Sequence, residues 1–273
     1  MEQNKKLELD EIRKIQIRLL KKFIYICEKE KYRYTVVGGT FLGAIRHKGY
    51  IPWDDDIDVG MPREDYEKFI VYCKNETMDG EEIITHENPK YNYLFAKFCD
   101  KNTILFEPEA NRKNCVFGVY IDVFPIDGLG NSYEKAKKVF DRTYFLRNLL
   151  VSSCVKYPPK FRKNIFKLLE SLMFYVLSRF VNEKKIIKKI EKVYVNNGFD
   201  NSLFSGVVCG CYGKNEIMGE GSLRDLATIE FENIPVKSIK NFHEYLSRLY
   251  GDYMQLPPPE NRVRKHLYEA FPR

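Results

Sequence analysis

Apolar residues recur at helical spacing through residues 7–31, at Leu9, Ile12, Ile15, Leu19, Phe23 and Ile26, with basic residues over the other face. This pattern predicts a helix packed on a sheet. Residues 32–37 follow as a first strand, which ends in Gly38-Gly39, and Thr40-Phe41-Leu42-Gly43-Ala44-Ile45 reads as a short helix. Asp56-Ile57-Asp58-Val59 then alternates acid and apolar residue, the period of a strand. Pro62 stands in the first turn of a helix whose buried side is Tyr66, Phe69, Ile70 and Cys73. Strands are expected over 81–86, 93–100, 103–106 and 116–124, the last ended by Pro125, with a polar loop around 111–114. From Ser132 the pattern turns mainly helical: 133–150, a break at Tyr157-Pro158-Pro159, then 161–190. A short strand over 205–212, a hairpin from 228–232 and 234–236, and a helix over 239–250 stopped by Gly251 complete the chain.

The segment 168–181 is very apolar and is flanked by lysines and arginines. Glu170 and Arg179 argue against a membrane span. Two readings stay open: a buried core helix, which is preferred, and a surface that docks on membrane beside a lipid-linked acceptor.

Composition narrows the setting. With 273 residues the chain can bury a substantial core. Lys+Arg 45 against Asp+Glu 38 leaves +7, which suits an anionic substrate or membrane surface. No nucleic-acid-binding module is recognisable, so no nucleic-acid partner is expected. The first residues, MEQNKKLELDEIRKIQ, lack the apolar centre of a signal peptide. The seven cysteines show no disulfide framework, and Cys209-Gly-Cys211 lacks a second pair at zinc spacing. A cytoplasmic setting with reduced thiols is therefore expected, with peripheral contact at the inner face of the membrane as its extension.

The chemistry concentrates in residues 36–60, VVGGTFLGAIRHKGYIPWDDDIDVG. On an extended backbone Asp56 and Asp58 share a face, and Asp54 joins them if the strand starts that early. Two carboxylates so close repel by about 4 kcal/mol at an intermediate effective dielectric. A divalent cation with hard oxygen ligands relieves this; Mg²⁺ fits, as one ion or two, and Mn²⁺ would serve the same donors. Gly38 and Gly39, at the turn from strand to helix, expose backbone N–H groups where phosphate binds well. Phosphate cradle and paired carboxylates together describe metal-assisted phosphoryl or nucleotidyl transfer. Arg46 offers a bidentate clamp for a diphosphate, or else a surface salt bridge. Farther on, Asp122 interrupts an apolar strand and needs a cation or a strong donor beside it. Asp127, beyond Pro125, reads as a turn residue.

The run GGTFLGAIRHKGYIPWDDDIDVGMPREDYEKF resembles the signature of LicD-type phosphocholine transferases, the group that includes fukutin-related protein, within the nucleotidyltransferase-fold superfamily. The resemblance is strongest over 34–72, is supported over 116–128 by a stretch that includes GVYIDVFPIDG, and returns more weakly over 245–266. It implies an α/β (α+β) fold: a nucleotidyltransferase-like mixed sheet over 1–130, and a mainly helical region over 131–273 that contributes to the substrate site. It implies transfer of phosphocholine, or a related phospho-alcohol, from CDP-choline or another CDP-alcohol to a hydroxyl of a glycan or lipid-linked glycan, such as a teichoic acid precursor, releasing CMP. Asp56, Asp58 and Asp122 become the catalytic metal ligands; Gly38, Gly39, Thr40, Arg46 and Asp54 become donor contacts. Asp252, Arg262 and His266 either reach the site from the tail or cover the sheet edge. For a choline head group the aromatic candidates are Tyr91, Tyr93 and Tyr120. Two other functions remain on this sequence: a nucleotidyltransferase releasing pyrophosphate, and an inactive module that binds glycan or membrane. The head group, the acceptor sugar and the oligomeric state are not fixed by it.

Overall fold

A computed structural model describes residues 5–76, 78–107, 112–160, 164–194, 198–219, 221, 223–264 and 268–273. Helix α1 (Leu9–Glu30) opens with a capping box between Glu8 and Glu11 and buries the predicted stripe, including Ile12, Leu19, Phe23 and Ile26. Next come β1 (Thr35–Val36), α2 (Gly38–His47), β2 (Asp58–Pro62), α3 (Arg63–Asn75), β3 (Glu81–Ile84), β4 (Ala96–Asp100), β5 (Thr103–Phe106) and β6 (Tyr120–Gly130). The remainder holds α4 (Tyr133–Cys154), α5 (Ile165–Leu177), α6 (Glu183–Tyr194), β7 (Phe204–Gly206), β8 (Ile217–Met218), β9 (Leu226–Phe231), β10 (Ile234–Ile239), α7 (Phe242–Tyr250) and β11 (Glu269–Pro272).

The main sheet runs β1-β2-β6-β4-β3, and β7 and β8 continue it beside the far half of β6. It is mixed: β2 and β6 are parallel, while the other pairs are antiparallel. The fold is thus α+β with a mixed sheet. One face carries Val59, Met61, Ile121, Val123 and Phe98, all inaccessible to solvent, against Leu19 and Phe23 of α1 and Phe69 of α3. Phe23, Phe69 and Phe98 meet edge to face at 5.1 and 5.7 Å; each buried ring contributes about 1.5–3 kcal/mol through its area alone. The opposite face of β2 and β6 carries the acids.

Three expectations need correction. First, β6 does not stop at Pro125. Asp122 donates its N–H to Ile57 O on the β2 side, so alternate residues, including position 125, direct theirs to the other side. There β4 ends opposite Val123 and β7 begins opposite Asp127. The proline falls in the gap between two partners, where a missing N–H breaks no ladder bond. Second, Asp127 is no turn residue. It is buried, and Arg63 binds its carboxylate through two hydrogen bonds of 2.7 and 2.9 Å.

Third, the apolar stretch after Tyr157 is not a buried core helix. It forms two helices, α5 and α6, separated at Ser178–Asn182. Phe174 is the buried residue of α5, packed on Phe145 of α4 at 5.3 Å. Most of the other large side chains of α5 face solvent. Among the described residues no helix is long and apolar enough to cross a membrane.

The hairpin forms as expected: β9 and β10 pair through Glu232-Asn233, both with positive φ (51° and 59°), as a two-residue turn matched to strand twist requires. The tail returns across the molecule, with β11 pairing β5.

Candidate active site

Strand β2 begins at Asp58, later than the acid run suggests. Residues 54–57 precede the β1–β2 ladder, because β1 ends at Val36, and Ile57 O accepts from Asp122 N of β6. Side chains from other elements hold the carbonyls ahead of it. Arg13 donates to Asp54 O at 2.6 Å and Pro52 O at 3.0 Å, and Gln16 to Asp55 O at 2.9 Å. Tyr268 donates to the same Asp55 carbonyl at 2.5 Å. Held this way, the segment still alternates: Asp54, Asp56 and Asp58 line a cleft, while Asp55 and Ile57 are fully buried. The Asp55 carboxylate lies within 4.8 Å of those of Asp54 and Asp56. It is nonetheless engaged by Arg264 at 3.0 Å, an ion pair that fastens the tail to this segment.

Parallel pairing of β2 and β6 sets Asp58 directly beside Asp122. The structure therefore gathers Asp54, Asp56, Asp58 and Asp122 in one cleft of about 1380 Å³. Burial, then the negative charges of Asp56, Asp122 and Asp54, push the Asp58 carboxyl well above the usual carboxylate range. Such a site is under electrostatic stress that an added cation would relieve.

The two glycines sit against these acids. A Cβ on Gly39 would come within 2.6 Å of Asp54 Oδ2, and one on Gly38 within 2.9 Å of Asp58 Oδ2. Gly38 also has φ +56°, where side chains are disfavoured. Both lie in the first turn of α2, whose N-terminus receives no side-chain cap and opens on the cleft.

The other expected contacts divide. Arg46 lines the cleft, but it donates to Tyr253 O at 2.7 Å and to His47 Nε2 at 2.9 Å. It thereby ties α2 to the segment after α7. Burial and the adjacent guanidinium lower the His47 pKa, consistent with an imidazole that accepts a hydrogen bond. Thr40 is buried and does not line the cleft; its hydroxyl accepts the N–H of Asp58 at 2.8 Å and fixes the start of β2. Asp252 and Arg262 line the cleft, with Arg262 5.8 Å above the ring of Trp53. The tail thus reaches the cleft and also pairs with β5. His266 lies outside the described residues.

Several residues escaped the sequence reading. Lys97, on β4 opposite Asp122, places Nζ 2.9 Å from Asp122 Oδ1 and 3.2 Å from the centre of the Tyr120 ring. Its signal was a lysine between apolar neighbours, Phe95-Ala96-Lys97-Phe98. Lys97 occupies the Tyr120 face that was expected to meet a ligand, and Tyr91 is buried away from the cleft. Tyr93 does line the cleft, together with Phe95 and Phe124, which stack at 4.5 Å. Glu216 lines it as well; burial raises its pKa to about 7, and Tyr245 donates to its Oε2 at 3.0 Å.

Residues 31–157, which contain every one of the four clustered acids, match the family described as LicD/FKTN/FKRP, nucleotidyltransferase domain. Over nearly its whole length the chain is also similar to the lipopolysaccharide cholinephosphotransferase LicD of Haemophilus influenzae. The two are 31% identical over 273 residues, covering 98% of this chain and 99% of that one. The chain belongs to the LicD family. A further relative, an uncharacterised protein of Rickettsia prowazekii, is 38% identical over 136 residues, 41% of this chain and 50% of its own. The LicD match runs past residue 157 through the helices and the tail, so the likeness extends to the elements that wall the cleft from the C-terminal side.

Proposed function

We propose that this protein transfers phosphocholine, or a related phospho-alcohol, from a CDP-linked donor to a hydroxyl of a cell-surface glycan or its lipid-linked precursor, releasing CMP. The observation that carries the reading is the convergence of Asp54, Asp56, Asp58 and Asp122 beside the uncapped N-terminus of α2. The full-length likeness to a cholinephosphotransferase supports the choice of group transferred.

The donor set fits Mg²⁺: all oxygen, several carboxylates, and one of them already under repulsion from the rest. Asp56, Asp58 and Asp122 would hold it, with Asp54 beside them. When bound, the ion supplies neutralisation of phosphate charge and a lowered pKa for the acceptor hydroxyl. The chain's own residues do the positioning. Backbone N–H groups in the first turn of α2 orient the donor phosphates. Lys97 holds the Asp122 carboxylate in place through their ion pair. Thr40, by accepting from Asp58 N, keeps the start of β2 in register with α2. Tyr93, Phe95 and Phe124 offer ring faces to a quaternary ammonium. Arg46 acts mainly by holding the loop after α7 closed over the cleft.

The test is CMP release from CDP-choline, CDP-ethanolamine, CDP-ribitol and CDP-glycerol with a panel of glycan acceptors, with Mg²⁺ and in EDTA. Expected is metal-dependent CMP formation that needs an acceptor. Pyrophosphate release from CTP would instead favour a nucleotidyltransferase. No calorimetric binding of Mg²⁺ or CDP-choline would favour an inactive binding module.

A further inference from the structure

Helix α5 turns its apolar side outward. At 100° per residue, Ile165, Phe166, Leu169, Met173, Val176 and Leu177 fall within an arc of about 120°. Each is between 40% and 79% exposed. Phe174, the residue that docks the helix on α4, falls outside that arc, about 60° beyond its edge. Phe180, just past the helix, is 84% exposed. A water-facing stripe of this kind on one helix marks an interaction surface.

Charge identifies what covers it. Residues 156–192 hold eleven lysines and arginines against three glutamates. Lys156 and Lys160 are exposed just before α5, and Lys185 and Lys188 are exposed on α6. A second copy docked two-fold on this stripe would bring that positive surplus against itself. A layer of anionic headgroups would neutralise it. The helix has 13 residues, about 20 Å, which is too short to span a bilayer and suited to lying in its surface.

The stripe adjoins the cleft. Tyr144 of α4 lines the cleft and donates to Glu170 of α5 at 2.7 Å. Val151, on the same helix, lines the cleft and is 58% exposed.

We propose that α5 is an interfacial helix that seats this protein on a bilayer containing anionic phospholipid, with the α4 wall of the cleft close to the membrane surface. Binding is to lipid and does not depend on the transfer reaction, so it is tested separately from it. The probe is a sedimentation assay with vesicles of phosphatidylcholine containing about 30% phosphatidylglycerol. The 273-residue chain is expected to pellet with these vesicles and not with pure phosphatidylcholine, and about 0.5 M salt should weaken binding at least about tenfold. The F166S/F180S variant should bind roughly a hundredfold more weakly with an unchanged thermal melt, since both side chains already face water. Lys156→Glu with Lys160→Glu should lower binding to the anionic vesicles. Failure of the wild type to pellet, or equal pelleting by F166S/F180S, overturns the proposal. So does a dimer in sedimentation velocity that F166S/F180S converts to monomer while no vesicle binding is seen.

Discussion

Replacing Lys97 by Met tests whether the acids are held together against their own repulsion. Lys97 and Asp122 are both buried, 2.9 Å apart. At an effective dielectric of about 20, two unit charges at that distance attract by about 6 kcal/mol, before desolvation is subtracted. Methionine keeps most of the stem and the contact with Tyr120 but removes the ammonium. Asp122 is then left charged beside Asp58, whose carboxyl is already pushed up by burial and by Asp56, Asp122 and Asp54. Breaking one side of a buried pair costs about 3–5 kcal/mol. Urea unfolding at pH 7 in EDTA should show that loss, with an unchanged slope. Removing both partners, in K97M/D122N, should recover most of it, because no uncompensated charge remains. Mg²⁺ should stabilise K97M more than wild type, since it would replace the missing positive charge. The reasoning fails if K97M/D122N is no more stable than K97M, for then the loss comes from packing and not from an orphaned carboxylate.

Asp58→Asn should lower CMP release from CDP-choline by about a thousandfold and yet stabilise the metal-free fold. Because burial and the neighbouring carboxylates raise the Asp58 pKa, the wild type loses stability as pH rises through it; the Asn variant should be the more stable at alkaline pH and the difference should vanish in acid, as read by denaturation at both pH values. Gly39→Ala puts a Cβ 2.6 Å from Asp54 Oδ2; because that oxygen ends a side chain that can turn away, stability should change by less than about 1 kcal/mol, while the displaced carboxylate should weaken Mg²⁺ binding at least about tenfold by calorimetry. Glu216→Gln should leave stability unchanged near pH 4 and raise it by up to about 3 kcal/mol above pH 7. The folded-state pKa of about 7 lies above the unfolded carboxylate value, so the wild type loses stability between roughly pH 4.5 and 7; thermal melts across that range measure the divergence.

The local half of this protein is legible in its sequence. Alternation placed Asp54, Asp56 and Asp58 on one side even though the strand itself starts only at Asp58. The glycine pair marks the start of α2, the period of 3.6 marks α1, and Glu232-Asn233 closes its hairpin. These features depend on what each residue does to its own backbone and to neighbours a few positions away. The tertiary structure decided the rest. The β2–β6 register sets Asp122 beside Asp58 across 64 residues of chain; β4 brings Lys97 to it; the tail brings Arg264 to Asp55, and α3 brings Arg63 to Asp127. The apolar run at 168–181 shows in the sequence, but not the direction in which its side chains turn, and packing on Phe145 through Phe174 leaves most of the large side chains of α5 facing solvent. A sequence pattern states which way a side chain leaves its own strand or helix. What meets it there is set by long-range pairing, and the charge balance of this site is a property of that meeting.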